Sequence, residues 1–165
     1  RIAQLVPERH GVRKYMFTDH LISYEEHLNW FNKIKSNDHT RYFIFEYKGD
    51  ACGVVNFTGL DFRNKKGFLG IYIGETGMIK GLGSASLYLA LEDYFEILNF
   101  YKMCVEVFPF NEKAVNLYKK FGFVQEGYFK NHVLKNGRYQ DVLFFALFRD
   151  QWFDNKSMLY KSVFK

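Results

Sequence analysis

A strand-like run, Gly67-Phe68-Leu69-Gly70-Ile71-Tyr72-Ile73-Gly74, leads through Met78-Ile79-Lys80 into a glycine turn, Gly81-Leu82-Gly83. A helical pattern follows at once, with Leu87, Ala90, Leu91, Tyr94 and Leu98 recurring at spacings of three and four. That spacing predicts a helix that buries one stripe. Met103-Cys104-Val105-Glu106-Val107 then reads as a strand, and Asn111 can cap a short helix with Glu112 in its first turn and Gly122 at its end. This order constrains the fold more than any other stretch, because a strand, a tight turn and a helix must meet at one edge of a sheet.

The flanks read differently. Ser23-Tyr24-Glu25-Glu26 has the pattern of a capping box, and Leu28, Phe31 and Ile34 continue it at helical spacing. Arg41–Tyr47 is β-rich, Lys48-Gly49-Asp50 suits a turn, and residues 51–58 read as the antiparallel partner. Asp61 to Lys66 is polar and reads as a loop. Near the C-terminal side, Asn136-Gly137 between two apolar-rich runs signals a two-residue hairpin. Strands alternate with helices only in the second half, so a mixed α/β sheet flanked by helices is expected rather than a doubly wound parallel one. A length of 165 residues suits a single domain, 1–165, able to bury a sizeable core.

The chemistry of the glycine turn is anion capture. Glycine lets the backbone approach a phosphate closely, and the first N–H groups of the helix point at it. A tight strand-to-helix turn that needs glycine for its shape is the plainer reading of the same residues. A dinucleotide fold is excluded, because no complete G-x-G-x-x-G follows the strand.

Taken with the order of elements, Met78-Ile79-Lys80-Gly81-Leu82-Gly83 resembles the Gln/Arg-x-x-Gly-x-Gly/Ala loop of the GNAT acetyltransferases, with Met78 where that pattern has Gln or Arg. The resemblance runs from about Ile22 to Phe148 and implies a GNAT fold with splayed central strands and acetyl-CoA as co-substrate. It assigns the coenzyme to the backbone of Ile71, Tyr72 and Ile73, to Ile79, Lys80, Gly81, Leu82, Gly83 and Ser84 at the turn, and to Asn111. Lys113, Lys119 and Lys120 read as an exposed basic helix face.

The same resemblance nominates two catalytic groups. Glu106, in Val105-Glu106-Val107, matches a strand glutamate that acts as a base, directly or through water. Tyr118, in Asn116-Leu117-Tyr118, matches a tyrosine that returns a proton to the leaving thiolate. Each has a plainer alternative: Glu106 as a solvent-facing strand residue, Tyr118 as a core ring.

The acceptor is addressed by two branches of the family. Glu126-Gly127 and Gly137-Arg138-Tyr139-Gln140-Asp141 resemble the ending of ribosomal-protein N-terminal acetyltransferases. Met16-Phe17, Arg41-Tyr42-Phe43-Ile44-Phe45, Gly53-Val54, Thr58 and residues 66–72 resemble the sugar-nucleotide acetyltransferases of pseudaminic acid biosynthesis. These acetylate the 4-amino group of a UDP-linked 4-amino-4,6-dideoxy sugar. Met16, Phe17, His20 and Lys66 are the candidate substrate residues on that reading, with core or solvated-surface roles as alternatives. A coenzyme-binding module without turnover is a further alternative.

Composition agrees with small anionic ligands. The formal charge is +5 and aromatics make up 20% of the chain, so anions are attracted and flat rings can stack. No basic stripe interleaved with aromatics points to nucleic acid, and no apolar run is long enough to span a bilayer. Cys52 and Cys104 read as buried thiols of a reducing, cytoplasmic protein. His10, His20, His27, His39 and His132 show no ligand spacing, so no metal is expected. A homo-oligomer is left open.

Overall fold

The computed structural model describes residues 14–18, 20–74 and 80–165. The elements run α1 (Tyr24–Lys35), β1 (Arg41–Tyr47), β2 (Asp50–Asp61), β3 (Lys66–Ile73), α2 (Leu82–Glu92), β4 (Lys102–Val107), α3 (Glu112–Lys120), β5 (Val124–Lys135), β6 (Arg138–Phe148) and α4 (Arg149–Phe164). Six strands form one sheet in the order β1-β2-β3-β4-β6-β5. Only β3 and β4 pair in parallel, and the other neighbours are antiparallel. The expected mixed sheet is therefore present.

The β3–β4 ladder is short. It joins Lys66 to Lys102, Gly67 to Met103 and Phe68 to Cys104, and then stops. β3 continues against β2 as far as Ile73, and β4 continues against β6 as far as Val107. The two middle strands thus part over their C-terminal halves and leave a wedge in the sheet.

One face of the sheet packs on α2, α3 and α4. Val55, Phe57, Leu69, Met103, Val105, Val107, Phe145 and Leu147 meet Leu87, Leu91, Tyr94, Val115, Tyr118 and Trp152 in a single core. The stripe expected on α2 is that core face, with Leu87, Leu91 and Tyr94 fully buried. After Glu92 the helix widens into a π turn, Asp93–Ile97, closed by the Leu98 N–H on the Asp93 carbonyl at 2.9 Å.

Two features depart from the sequence expectation. The capping box forms by half: Ser23 Oγ accepts from the Glu26 N–H at 3.1 Å, but the Glu26 carboxylate turns to His20 Nε2 at 2.9 Å. That hydrogen bond holds Glu26 below the usual carboxylate range. The second departure is α4, which the sequence motifs left unassigned. Its Trp152 is fully buried, lies 5.1 Å from Tyr88 between ring centres, and donates from Nε1 to Glu96 at 3.0 Å. No helix among the described residues is long and apolar enough to cross a membrane.

Candidate active site

Gly81 turns the chain into α2 with φ +97°, the left-handed region that glycine enters without strain. The Ala85 N–H closes the first helical bond on the Gly81 carbonyl at 2.9 Å. The N–H groups of Leu82, Gly83 and Ser84 therefore precede the helical ladder and are the donors a phosphate would meet. At Gly83 an added Cβ would find only ordinary contacts, Leu117 Cδ2 at 3.8 Å and Ile73 Cγ1 at 4.0 Å. The protein's own packing does not demand glycine there. The residues fit a pyrophosphate cradle. Ile79 and Met78 lie outside the described residues.

Those neighbours of Gly83 also fix α3. Leu117 reaches the end of β3 and the start of α2, so α3 runs beside the wedge. Tyr118, the next residue, is 7% exposed and packs against Phe123 with ring centres 5.4 Å apart. Burial pushes its phenol up to about 12, so it keeps its proton at neutral pH. Among the described residues, burial alone acts on the phenol and no hydrogen-bond partner of its hydroxyl is found. The ring is a core residue, and its hydroxyl remains able to donate. Asn111 caps α3, with Oδ1 accepting from the Ala114 N–H at 3.4 Å.

Alternation along the strands sorts the remaining candidates. Met103, Val105 and Val107 enter the core, and Ile71 packs against it. Cys104 and Glu106 therefore point to the opposite face, as do Phe68, Gly70 and Tyr72 of β3. Glu106 is half-buried, sits in register with Phe144 and joins none of the ion pairs among the described residues. Glu106 and Tyr118 thus address the C-terminal half of β4 from opposite sides of the sheet. A thioester lying in the wedge would meet a proton donor on the helix side and an amine with its base on the other.

The opposite face is aromatic and is partly covered by α1. Trp30 meets Tyr42 edge-on at 5.2 Å, and His27 lies 5.2 Å from Trp30. Beside Tyr42, Asn56 fills the space over Gly70, where an added Cβ would fall 2.2 Å from Asn56 Oδ1. Among the described residues, His27 Nε2 is buried with no hydrogen-bond partner. Sequence reasoning missed His27, Trp30, Tyr42 and Asn56. On a helix with no fully buried residue, His27 and Trp30 look like surface positions.

The proposed substrate residues divide. The Met16 carbonyl accepts from Lys135 Nζ at 2.5 Å, and Phe17 meets Phe108 edge-on at 4.9 Å. Both therefore come to the end of β4, one residue beyond Val107. Lys66 shares the face of Glu106 but pairs with Lys102. It lies four register positions from Glu106, about 13 Å along the strand. His20 is exposed and engaged with the Glu26 carboxylate at the start of α1, at 2.9 Å. Cys52 and Cys104 are buried free thiols, as expected, and burial pushes Cys104 up.

A parted parallel strand pair, a glycine turn that opens a helix at the wedge and a buried tyrosine beside it are the arrangement of an acyl-coenzyme A transferase. Residues 3–144 match the family described as acetyltransferase (GNAT) domain, and the chain belongs to that family. It is an N-acetyltransferase that uses acetyl-CoA as co-substrate.

Among its relatives, the spermidine N(1)-acetyltransferase of Vibrio cholerae is 31% identical over 133 residues, covering 80% of this chain and 77% of that protein. The spermidine N(1)-acetyltransferase of Escherichia coli K12 is 28% identical over 142 residues, covering 86% and 76%. The solved structure of the Vibrio cholerae spermidine N-acetyltransferase in complex with CoA and spermine superposes with a TM-score of 0.84. Its identity is 28%, with 92% of this chain and 90% of that one covered.

Proposed function

We propose that this acetyltransferase acts on a small sugar nucleotide, acetylating the 4-amino group of a UDP-linked 4-amino-4,6-dideoxy sugar. Glu106 takes the proton of the attacking amine, backbone N–H groups of β3 stabilise the oxyanion, and Tyr118 protonates the departing thiolate. One observation carries the choice of acceptor: the balance of charge on the sheet face that Glu106 shares with Lys66 and Lys102. Among the described residues, Glu126 is held by Lys102 at 2.6 Å and Glu26 by His20 at 2.9 Å. A polyamine is a string of ammonium groups and calls for several carboxylates in its groove. Lys66 on the Glu106 face and His27, whose buried Nε2 has no partner among the described residues, suit a ligand with a ring and a diphosphate instead.

The second reading is polyamine acetylation, favoured by the names of the relatives and by the spermine bound to one of them. Thiol release from acetyl-CoA, followed with the UDP-amino sugar, spermidine and N-terminal peptides in parallel, separates the readings. Turnover of the sugar nucleotide with competitive inhibition by UDP is expected. Spermidine turnover that millimolar UDP leaves untouched would hand the site to the polyamine, and peptide turnover would hand it to protein N-termini.

A further inference from the structure

We infer that the tip of the β5–β6 hairpin carries a phosphate-binding subsite on the acceptor face, formed by Arg138, Lys14 and Gln140 over the ring of Phe110. These residues, with Lys135 and Asn136, line a cavity of about 450 Å³. That volume is within the range of small-ligand sites. Arg138, Gln140, Val142 and Phe144 alternate onto one face of β6, and Phe144 is the register partner of Glu106. The cavity therefore opens on the Glu106 face, with Gln140 about 13 Å along the strand from that position. Its frame is built. Phe110 stacks on Phe108 at 5.0 Å and 11°, and Tyr15 lies 6.3 Å from its ring. Lys135 is 6% exposed, and its Nζ ties the Met16 and Thr18 carbonyls to the hairpin at 2.5 and 3.2 Å.

None of the described residues lining the cavity is acidic. Asp141 alternates to the other face, where it accepts from the Tyr128 hydroxyl and from the Asn131 N–H at 2.8 Å. The Arg138 guanidinium is exposed and offers a planar fork of donors, which matches phosphate oxygens. The site stands without the proposed acceptor. Only the source of the phosphate, the acceptor's own diphosphate or a separate phosphate anion, rests on that reading.

Pyrophosphate is the probe, titrated by calorimetry into protein already saturated with CoA so that the cradle at α2 is blocked. Wild-type protein should bind it. Arg138→Glu should weaken it at least tenfold and Arg138→Lys by less, since the charge stays but the fork is lost, while CoA affinity and melting temperature hold. No binding to wild-type protein, or equal binding to Arg138→Glu, overturns the subsite. The source is read from turnover. A tenfold higher KM for the UDP-amino sugar at unchanged kcat in Arg138→Ala assigns the phosphate to the acceptor. An unmoved KM with pyrophosphate binding lost assigns it to a separate anion, and the subsite stands. If the UDP-amino sugar is not turned over at all, the acceptor reading falls and the pyrophosphate titration still decides the subsite.

Discussion

Phe68 and Cys104 are the last residues that β3 and β4 share in register. Beyond them the ladder gives way to a wedge. The N-terminal turn of α2 and the Tyr118 side of α3 lie at its helix side, and Glu106 faces the other way. A parallel pair that continued to Ile73 and Val107 would close this opening, so the short ladder is what leaves the wedge open.

Gly81→Val should weaken acetyl-CoA binding sharply. A β-branched residue at φ +97° is strained, so the turn must move and its N–H groups lose their aim. Calorimetry reads the affinity, and a melting curve separates it from unfolding. Wild-type affinity in a folded variant would remove the turn from the coenzyme site.

Tyr118→Phe should keep acetyl-CoA binding and lose about 100- to 10,000-fold in kcat, the usual worth of a general acid. The ring preserves the packing against Phe123 while the proton is gone. Because burial holds the phenol up to about 12, the wild-type kcat should show no falling limb from this group between neutral pH and about pH 10. A rate-limiting chemical step at wild-type speed in the variant would refute the assignment.

Stability should fall at alkaline pH. Tyr94 and Tyr118 are both raised by burial above the ordinary tyrosine value. Above about pH 10 the unfolded chain releases phenolic protons that the folded chain keeps, so unfolding gains free energy as pH rises. The effect is absent below the unfolded value and grows as pH climbs toward about 12 for Tyr118. Urea midpoints measured from pH 8 upward test this, and replacing both tyrosines by phenylalanine should flatten the decline.

Trp152→Ala should cost about 3–5 kcal/mol, because it empties a fully buried site and leaves the Glu96 carboxylate without one of its donors. Chemical denaturation of the two proteins measures it. A loss well under 1 kcal/mol would mean that α4 is peripheral to the core.

Much of this was legible in the sequence because it is local. β1 begins and ends where its β-rich run does. Asn136 and Gly137 both take positive φ in the expected two-residue turn. Asn111 caps α3, and the α2 stripe is core. The unexpected parts are contacts between distant residues. His20 drew Glu26 away from its cap, and no spacing rule weighs a partner outside the helix. Trp152 found its place against Tyr88 and Glu96, which lie more than fifty positions earlier.

Periodicity, glycine positions and capping residues act over a few neighbours, so the sequence alone determined the order of elements from α1 to β6, the glycine turn before α2 and the family. What lies on which face of β4, and therefore that Glu106 and Tyr118 approach it from opposite sides, was decided only by the folded sheet. The same holds for His27 over the aromatic face and for the cations gathered at the hairpin tip. These groups are far apart in the chain, and only strand register and helix packing set where each one stands.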